Sequence, residues 1–180
     1  MTMAATMTAP ELDIACWFNS APLTLAGLRG RVVVIGAFQM LCPGCVAESL
    51  PQLRRIHELF PADAVTAIAL HSVFEHHAAM TPVSLEAFLH EYRIACPVAV
   101  DRHDDPAGIP VTMARYGLRG TPSLLLIDRR GRLRLHRFGH VPDLAVGAAI
   151  QQLLDEGNGE GGAVAAEGGG ESCAVGGDCG

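Results

Sequence analysis

The segment VVVIGAFQMLCPGCVAESL, residues 32–50, decides the fold of this chain. Its first part, Val32–Phe38, is mostly apolar and rich in β-branched side chains, which is typical of a strand buried in a parallel sheet. A helix-period pattern of apolar residues follows from residue 45 to residue 59. The segment therefore predicts a strand that leads directly into a helix, with Cys42 and Cys45 at the junction.

The two cysteines at this junction are placed for redox chemistry. Unpaired N–H groups and the helix dipole at the start of a helix favour a thiolate over a thiol at Cys42. A thiolate is the attacking species in disulfide exchange, and Cys45, one turn along, can resolve the mixed disulfide. Pro43 fits the first helical turn because its missing N–H would have no partner there.

Strands and helices alternate along the rest of the chain. We predict strands at 65–70, 97–100, 123–127 and 132–138, and helices at 81–92, at 111–116 and from residue 143. The turn at 128–131 indicates a hairpin, because Gly131 can close it. This order predicts an α/β fold, in which a parallel sheet flanked by helices gains an antiparallel edge from the hairpin.

Length and composition limit the function classes. A chain of 180 residues suits one domain of roughly 150 residues plus a tail. A net charge of −6 gives no reason to expect nucleic acid as a partner, and the absence of lysine excludes a lysine nucleophile. We find no signal-peptide pattern and no membrane-spanning stretch, so we expect a cytoplasmic protein without membrane contact. In that compartment two closely spaced cysteines are usually catalytic or metal-binding.

Composition divides the chain into three parts: a flexible N-terminus at 1–11, a folded domain at 12–156 and a glycine-rich tail at 157–180, which we expect to be disordered. The tail contains Cys173 and Cys179. A tether of about 17 residues could extend to roughly 55 Å, so a redox shuttle to Cys42 is feasible. Soft-metal capture and no function are the alternatives for these two thiols.

The segment Gly120-Thr121-Pro122 stands before the predicted hairpin, roughly 75 residues after the cysteine pair. With the stretches WFNSAPLTLAGLRGRVVVIGAF, CPGCVAESLPQLRRI, AIALHSVFE and YGLRGTPSLLLIDRRGRL, it resembles the TlpA-like and DipZ-like thioredoxins, which are related to the AhpC/TSA redoxins. The resemblance implies a thioredoxin-like domain at 12–156 that acts as a thiol–disulfide oxidoreductase and needs no cofactor. Its partners would be protein or small-molecule disulfides and a redoxin that donates or accepts electrons.

The resemblance also implies roles for individual residues. Cys42 matches the exposed nucleophile of the family and Cys45 its buried resolving thiol. Pro122 matches the cis-proline that faces the disulfide, and Glu48 matches the glutamate that handles the proton of the buried thiol. The residues expected to contact substrate flank these positions: Leu41, Pro43, Gly44 and Thr121.

Three positions depart from the family pattern. Leu41 replaces the usual tryptophan, and Gly36 stands where thioredoxin has a buried aspartate. Pro51 lies three residues after Glu48, one more than the pattern has. The extra residue weakens the assignment of Glu48.

Two other functions compete with disulfide exchange. A thiol peroxidase shares this fold, but Gln39 stands where such enzymes carry threonine or serine. A thiol protein that binds Zn(II), Cu(I) or Hg(II) is the second alternative, although no other cysteine pair lies at ligand spacing within 12–156. The histidines at 71, 76 and 77 could suggest a metal, but we predict a polar surface loop there. Cys16 and Cys96 are predicted to be inert core residues.

Overall fold

A central sheet of seven strands organises the protein, whose computed structural model describes residues 7–105 and 108–158. In chain order the strands are β1 (Met7–Thr8), β2 (Ile14–Phe18), β3 (Val32–Phe38), β4 (Val65–His71), β5 (Val98–Asp101), β6 (Ser123–Ile127) and β7 (Arg132–Phe138). Their spatial order is β1-β7-β6-β3-β4-β5-β2. The predicted strand at 32–38 is at the centre of the sheet and is buried along its whole length.

Helices cover both faces of the sheet. They are α1 (Leu50–Leu59), which continues a π-helical turn at Cys45–Ser49, α2 (Pro82–Glu91), α3 (Val111–Tyr116) and α4 (Asp143–Asn158). The apolar sides of α1, α2 and α4 share one core cluster, and α3 packs in a second cluster on the other face. Burial on both faces explains why the central strands are continuous apolar runs rather than alternating ones.

The pairing of the central strands brings the predicted site together. Strand β3 is parallel to β4 and antiparallel to β6, with Ala37 opposite Ser123. The end of β3 therefore lies beside the start of β6. Cys42 follows the end of β3 and Pro122 directly precedes β6, so antiparallel pairing places these residues at the same edge of the sheet.

Two N-terminal strands extend the fold beyond the sequence prediction. Strand β1 pairs with β7, and β2 pairs with β5, so each occupies one edge of the sheet. The backbone N–H of Leu25 donates to Glu11 Oε1 at 2.7 Å, and the Tyr116 hydroxyl donates to the carbonyl of Pro10. The folded domain thus includes residues 7–11, which the sequence analysis assigned to a flexible N-terminus.

An ion-pair cluster fixes the end of α4 to the hairpin. Arg134 Nη1 lies 3.2 Å from Asp128 Oδ2 and 2.5 Å from Glu156 Oε2, and the arginine is only 9% exposed. Asp128 lies in the β6–β7 turn, at the opposite end of β6 from Pro122.

Within the described residues, no helix is long and apolar enough to cross a membrane.

Candidate active site

The cysteine pair faces the proline loop at the edge of the sheet. The Thr121–Pro122 peptide bond is cis. The Cys42 thiol donates to the carbonyl oxygen of Thr121, with 3.6 Å between sulfur and oxygen. A Cβ atom added to Gly44 would lie 3.6 Å from Pro122 Cδ, so this glycine already contacts the proline ring. The structure therefore brings together four of the predicted site residues from two distant parts of the chain.

The two thiols have different environments. Both are free cysteines; Cys42 is half-buried, whereas Cys45 is 0% exposed. The backbone N–H of Cys45 donates to Cys42 Sγ at 3.2 Å, a contact that stabilises negative charge on that sulfur. Burial, followed by the contact with Cys42, raises the pKa of the Cys45 thiol to about 12. Because Cys45 stays protonated and inaccessible, Cys42 is the thiol that an incoming disulfide can reach.

A π-helical turn carries Glu48. This turn spans Cys45–Ser49 and passes into α1, where Pro51 occupies the first turn. A π-helical turn accommodates one more residue than an α-helical turn, which matches the extra residue between Glu48 and Pro51. The Glu48 side chain is 55% exposed, and its Oε2 lies 3.7 Å from His140 Nε2. No local sequence pattern indicates His140, because its position depends on the segment after β7 packing beside the π-helical turn that carries Glu48.

Three exposed apolar residues form what we call the apolar rim: Leu41 and Pro43, which flank Cys42 in sequence, and Phe138, which lies against the proline loop. Leu41 is 58% exposed, and Pro43, the next residue but one, is also exposed. On the other side of the proline loop Phe138 is 54% exposed and carries the guanidinium of Arg119 at 5.8 Å from its ring centroid. The backbone N–H of Gly139 donates to the Pro122 carbonyl at 2.8 Å, so the end of β7 is fixed to the proline loop.

Phe138 is a second residue that sequence reasoning missed. The available signal was its place at the end of an amphipathic strand, opposite Ser123 in the β6–β7 register. A Cβ atom on Gly120 would approach Phe138 Cε2 to 3.0 Å, so the absence of a side chain at this position lets the ring pack closely against the loop. Leu41 and Phe138 together provide the kind of exposed apolar surface that marks an interaction site.

Gln39 and Gly36 occupy positions that other thiol enzymes use for polar catalytic groups. The buried side chain of Gln39 accepts from the Phe74 N–H at 3.2 Å and donates to Glu75 at 3.4 Å. It therefore links the cysteine loop to the loop after β4. A Cβ atom on Gly36 would lie 2.5 Å from Leu53 Cδ1, so the space of a buried carboxylate is filled by leucine.

The remaining cysteines and histidines lie outside this site. Cys96 is buried, and burial raises its pKa to about 11, while Cys16 is only partly buried. The predicted polar surface loop is wrong for His71, which is the last residue of β4 and is 1% exposed because it packs against Phe38. Across the described part of the chain, no group of three or more His, Cys, Asp or Glu residues could hold a metal ion. Cys173 and Cys179 lie outside the described residues.

Known proteins resemble this chain over most of its length. The AhpC/TSA family model matches residues 3–136. The crystal structure of a thioredoxin-like superfamily protein is 60% identical, with a TM-score of 0.80, and the match covers 82% of this chain and 96% of that one. A thiol-disulfide isomerase from Corynebacterium glutamicum is 48% identical, with a TM-score of 0.76, over 81% of this chain and 96% of the isomerase.

Two curated relatives share only part of their length with this chain. Protein DipZ from Mycobacterium bovis and protein DipZ from Mycobacterium tuberculosis are each 26% identical over 153 residues. The match covers 83% of this chain and 21% of each DipZ protein. The chain therefore spans about a fifth of the length of the curated relatives it matches.

Proposed function

This chain belongs to the AhpC/TSA family and has the thioredoxin-like fold predicted from its sequence, and we propose that it exchanges disulfides through Cys42 and Cys45. The observation that carries the proposal is the position of Cys42 Sγ. That sulfur lies between the N–H of Cys45 and the carbonyl of Thr121, beside a cis-proline and an apolar rim. A thiol protein of this kind reduces a disulfide, or oxidises a dithiol when it runs in reverse.

The reaction begins when the Cys42 thiolate attacks one sulfur of a substrate disulfide. The substrate S–S bond breaks, a Cys42–substrate mixed disulfide forms, and the released thiolate takes up a proton. The Cys45 thiol then loses its proton and attacks Cys42 Sγ. This step forms the Cys42–Cys45 disulfide and releases the second substrate thiol. Two electrons pass from the cysteine pair to the substrate; of the two protons that the substrate thiols gain, Cys45 gives up one and solvent supplies the other.

The second step requires a proton acceptor for Cys45, because burial raises the pKa of this thiol to about 12. We assign that role to Glu48, as its place three residues after Cys45 suggests. Glu48 is half-exposed and lies beside His140, so a proton that it accepts can pass to solvent. A Glu48→Gln variant should form the mixed disulfide at the normal rate and resolve it at least tenfold more slowly.

We assign substrate binding to the rim and the proline loop. The carbonyl of Thr121 contacts the Cys42 sulfur, and Gly44 contacts Pro122. Leu41 and Pro43 flank Cys42 in sequence and are exposed, as is Phe138 beside the loop. This surface is apolar, with one arginine beside it. It therefore suits a protein disulfide with apolar flanking side chains better than a small charged disulfide such as glutathione.

Reduction of insulin disulfides by the purified protein tests the proposal. With dithiothreitol as the electron source, wild-type protein should accelerate insulin precipitation, and Cys42→Ser should abolish the acceleration. Cys16→Ser is the matched control, because Cys16 lies on the edge strand β2 and should leave the rate unchanged. Cys45→Ser should accumulate a mixed disulfide that is detectable by mass. Equal rates for wild-type and Cys42→Ser protein would contradict the proposal.

We further propose that Cys173 and Cys179 exchange electrons with the Cys42–Cys45 pair. Glu156 lies beside Asp128, six residues along β6 from Pro122, which corresponds to roughly 20 Å of strand. The 15 residues from 158 to 173 can extend to roughly 50 Å, so the tail is long enough to reach Cys42. Peptide mapping after mild oxidation of Cys45→Ser protein should show a disulfide between Cys42 and the tail. If only intermolecular disulfides form, the shuttle is wrong while disulfide exchange at Cys42 still stands.

A further inference from the structure

A cavity opens at the carboxyl ends of the parallel strands β4 and β5. Its volume is about 360 Å³, and it is separate from the cysteine pair, which does not line it. The carboxyl ends of parallel strands are where ligands bind in open α/β sheets. A volume of this size falls within the usual range for small-molecule pockets.

Imidazole nitrogens without partners line this cavity. His71 is 1% exposed, and neither of its ring nitrogens has a hydrogen-bond partner. Nε2 of His77, which also lines the cavity, is buried and has no partner. A buried polar atom without a partner is unfavourable by about 1–3 kcal/mol, so such groups normally indicate a missing ligand or water. His103, by contrast, is hydrogen-bonded to the carbonyl of Val73 at 2.6 Å.

The two charged side chains that line the cavity, Arg102 and Asp101, both have partners. Arg102 forms ion pairs with Asp13 and Asp104. The buried Asp101 accepts from Ser72 Oγ at 2.9 Å and from two backbone N–H groups at the start of α3. Neither charged side chain is left without a partner, so a neutral occupant fits this cavity without burying a new charge.

The hydrogen-bonding needs of His71 define the occupant further. Burial, followed by repulsion from His103, lowers the pKa of His71 to about 4. The ring is therefore neutral at pH 7 and offers one N–H donor and one nitrogen acceptor. A hydroxyl group can both accept and donate, so it can bond to one ring nitrogen of His71 and to Nε2 of His77. The buried thioether of Met80 and the side chain of Val73 supply walls on which an aromatic ring packs well.

We propose that this cavity is a binding site for a small, neutral, hydroxyl-bearing aromatic molecule, whose hydroxyl group bonds to the imidazoles of His71 and His77. A metal ion is not the occupant, because no group of three or more His, Cys, Asp or Glu residues in the described ranges could hold one. The site goes beyond disulfide exchange and does not depend on it.

Binding of p-cresol and toluene to the full chain at pH 7 tests the proposal. These probes have nearly the same shape and differ by one hydroxyl group. We expect p-cresol to bind saturably with a Kd below about 1 mM, and toluene to bind at least tenfold more weakly. Ring ¹⁵N resonances of His71 and His77 should shift with p-cresol and not with toluene. Failure of p-cresol to saturate, affinities for the two probes within twofold, or shifts that map elsewhere would each overturn the proposal.

A His71→Phe variant provides the second arm of the experiment. Phenylalanine keeps an aromatic ring against Phe38 and removes both nitrogens. The variant should lose the preference for p-cresol over toluene while it keeps toluene binding. A retained tenfold preference would show that His71 does not bind the hydroxyl group. The comparison of probes on wild-type protein does not require this variant to fold.

Discussion

Gly36 lies so close to Leu53 that even one added methyl group should destabilise the protein. In Gly36→Ala the new Cβ atom would be 2.5 Å from Leu53 Cδ1 and 3.1 Å from Cγ, whereas ordinary contacts begin at 3.4 Å. The leucine must therefore move by about 1 Å as a whole, because rotating its terminal methyl does not relieve the contact with Cγ. Leu53 is 1% exposed in a close-packed core, so the movement is resisted.

We expect Gly36→Ala to lower the free energy of unfolding by about 1–3 kcal/mol, as overpacked cores usually do. Leu53→Ala alone should lower it by about 2–5 kcal/mol through the cavity it leaves. The double variant should lose less than the sum of the two, because the alanine at 36 then has room. Urea unfolding followed by circular dichroism measures all three values.

The matched control is Gly147→Ala, the same substitution in α4, where a Cβ atom meets nothing within 4 Å. It should raise the free energy of unfolding by about 0.5–1 kcal/mol, since alanine is the better helix former. The reasoning is refuted if Gly36→Ala is as stable as the wild type, or if the effects of Gly36→Ala and Leu53→Ala simply add.

Three further predictions concern stability. The folded-state pKa of His71, about 4, lies below its ordinary value of 6.5, so its contribution to stability is lost as the pH falls from 6.5 to 4. Urea unfolding should show that wild-type protein loses about 3 kcal/mol more than His71→Leu over that range; parallel pH profiles would contradict this. Arg134→Met should lower the free energy of unfolding by about 3 kcal/mol, because it breaks a buried ion-pair cluster. The control Arg54→Met removes the exposed ion pair with Glu58 and should change the free energy of unfolding by less than about 0.5 kcal/mol. Similar losses for Arg134→Met and Arg54→Met would show that the cluster around Arg134 does not stabilise the fold. Asn19 has a φ of 62°, and its side-chain amide donates to two backbone carbonyls. Asn19→Ala should therefore lower the free energy of unfolding by about 2 kcal/mol, and Asn19→Gly by about half of that. Equal losses for Asn19→Ala and Asn19→Gly would show that the positive φ at this position does not contribute to the effect.

Local patterns were sufficient to predict most of the fold. The strands at 123–127 and 132–138 and the helix at 111–116 have the predicted bounds. Buried strands and amphipathic helices can be recognised from the spacing of their apolar residues, because those residues face a core. Strands β1 and β2 were not predicted. They lie at the edges of the sheet, where β1 is exposed and β2 is only partly buried, so their sequences have no clear alternation.

The site was only partly predictable for the same reason. Cys42 and Cys45 lie three residues apart between a predicted strand and a predicted helix, so local sequence was sufficient to identify them. Phe138 and His140 reach the site only through the β6–β7 register, which depends on the packing of the whole sheet. His71 was predicted to lie in a surface loop because a polar residue after an apolar run usually begins the loop. It is instead the last residue of β4, and its contact with Phe38 keeps it buried.

The π-helical turn at Cys45–Ser49 has an evolutionary consequence. One residue inserted into a regular helix rotates every later side chain by about 100°, which would turn Leu53 and Ile56 away from the core. The i→i+5 hydrogen bonds of a π-helical turn accommodate the extra residue within that turn, so the later side chains keep their orientation. A chain without the extra residue could therefore keep this core with an uninterrupted helix, and in an alignment with such a chain the gap would belong between Cys45 and Leu50.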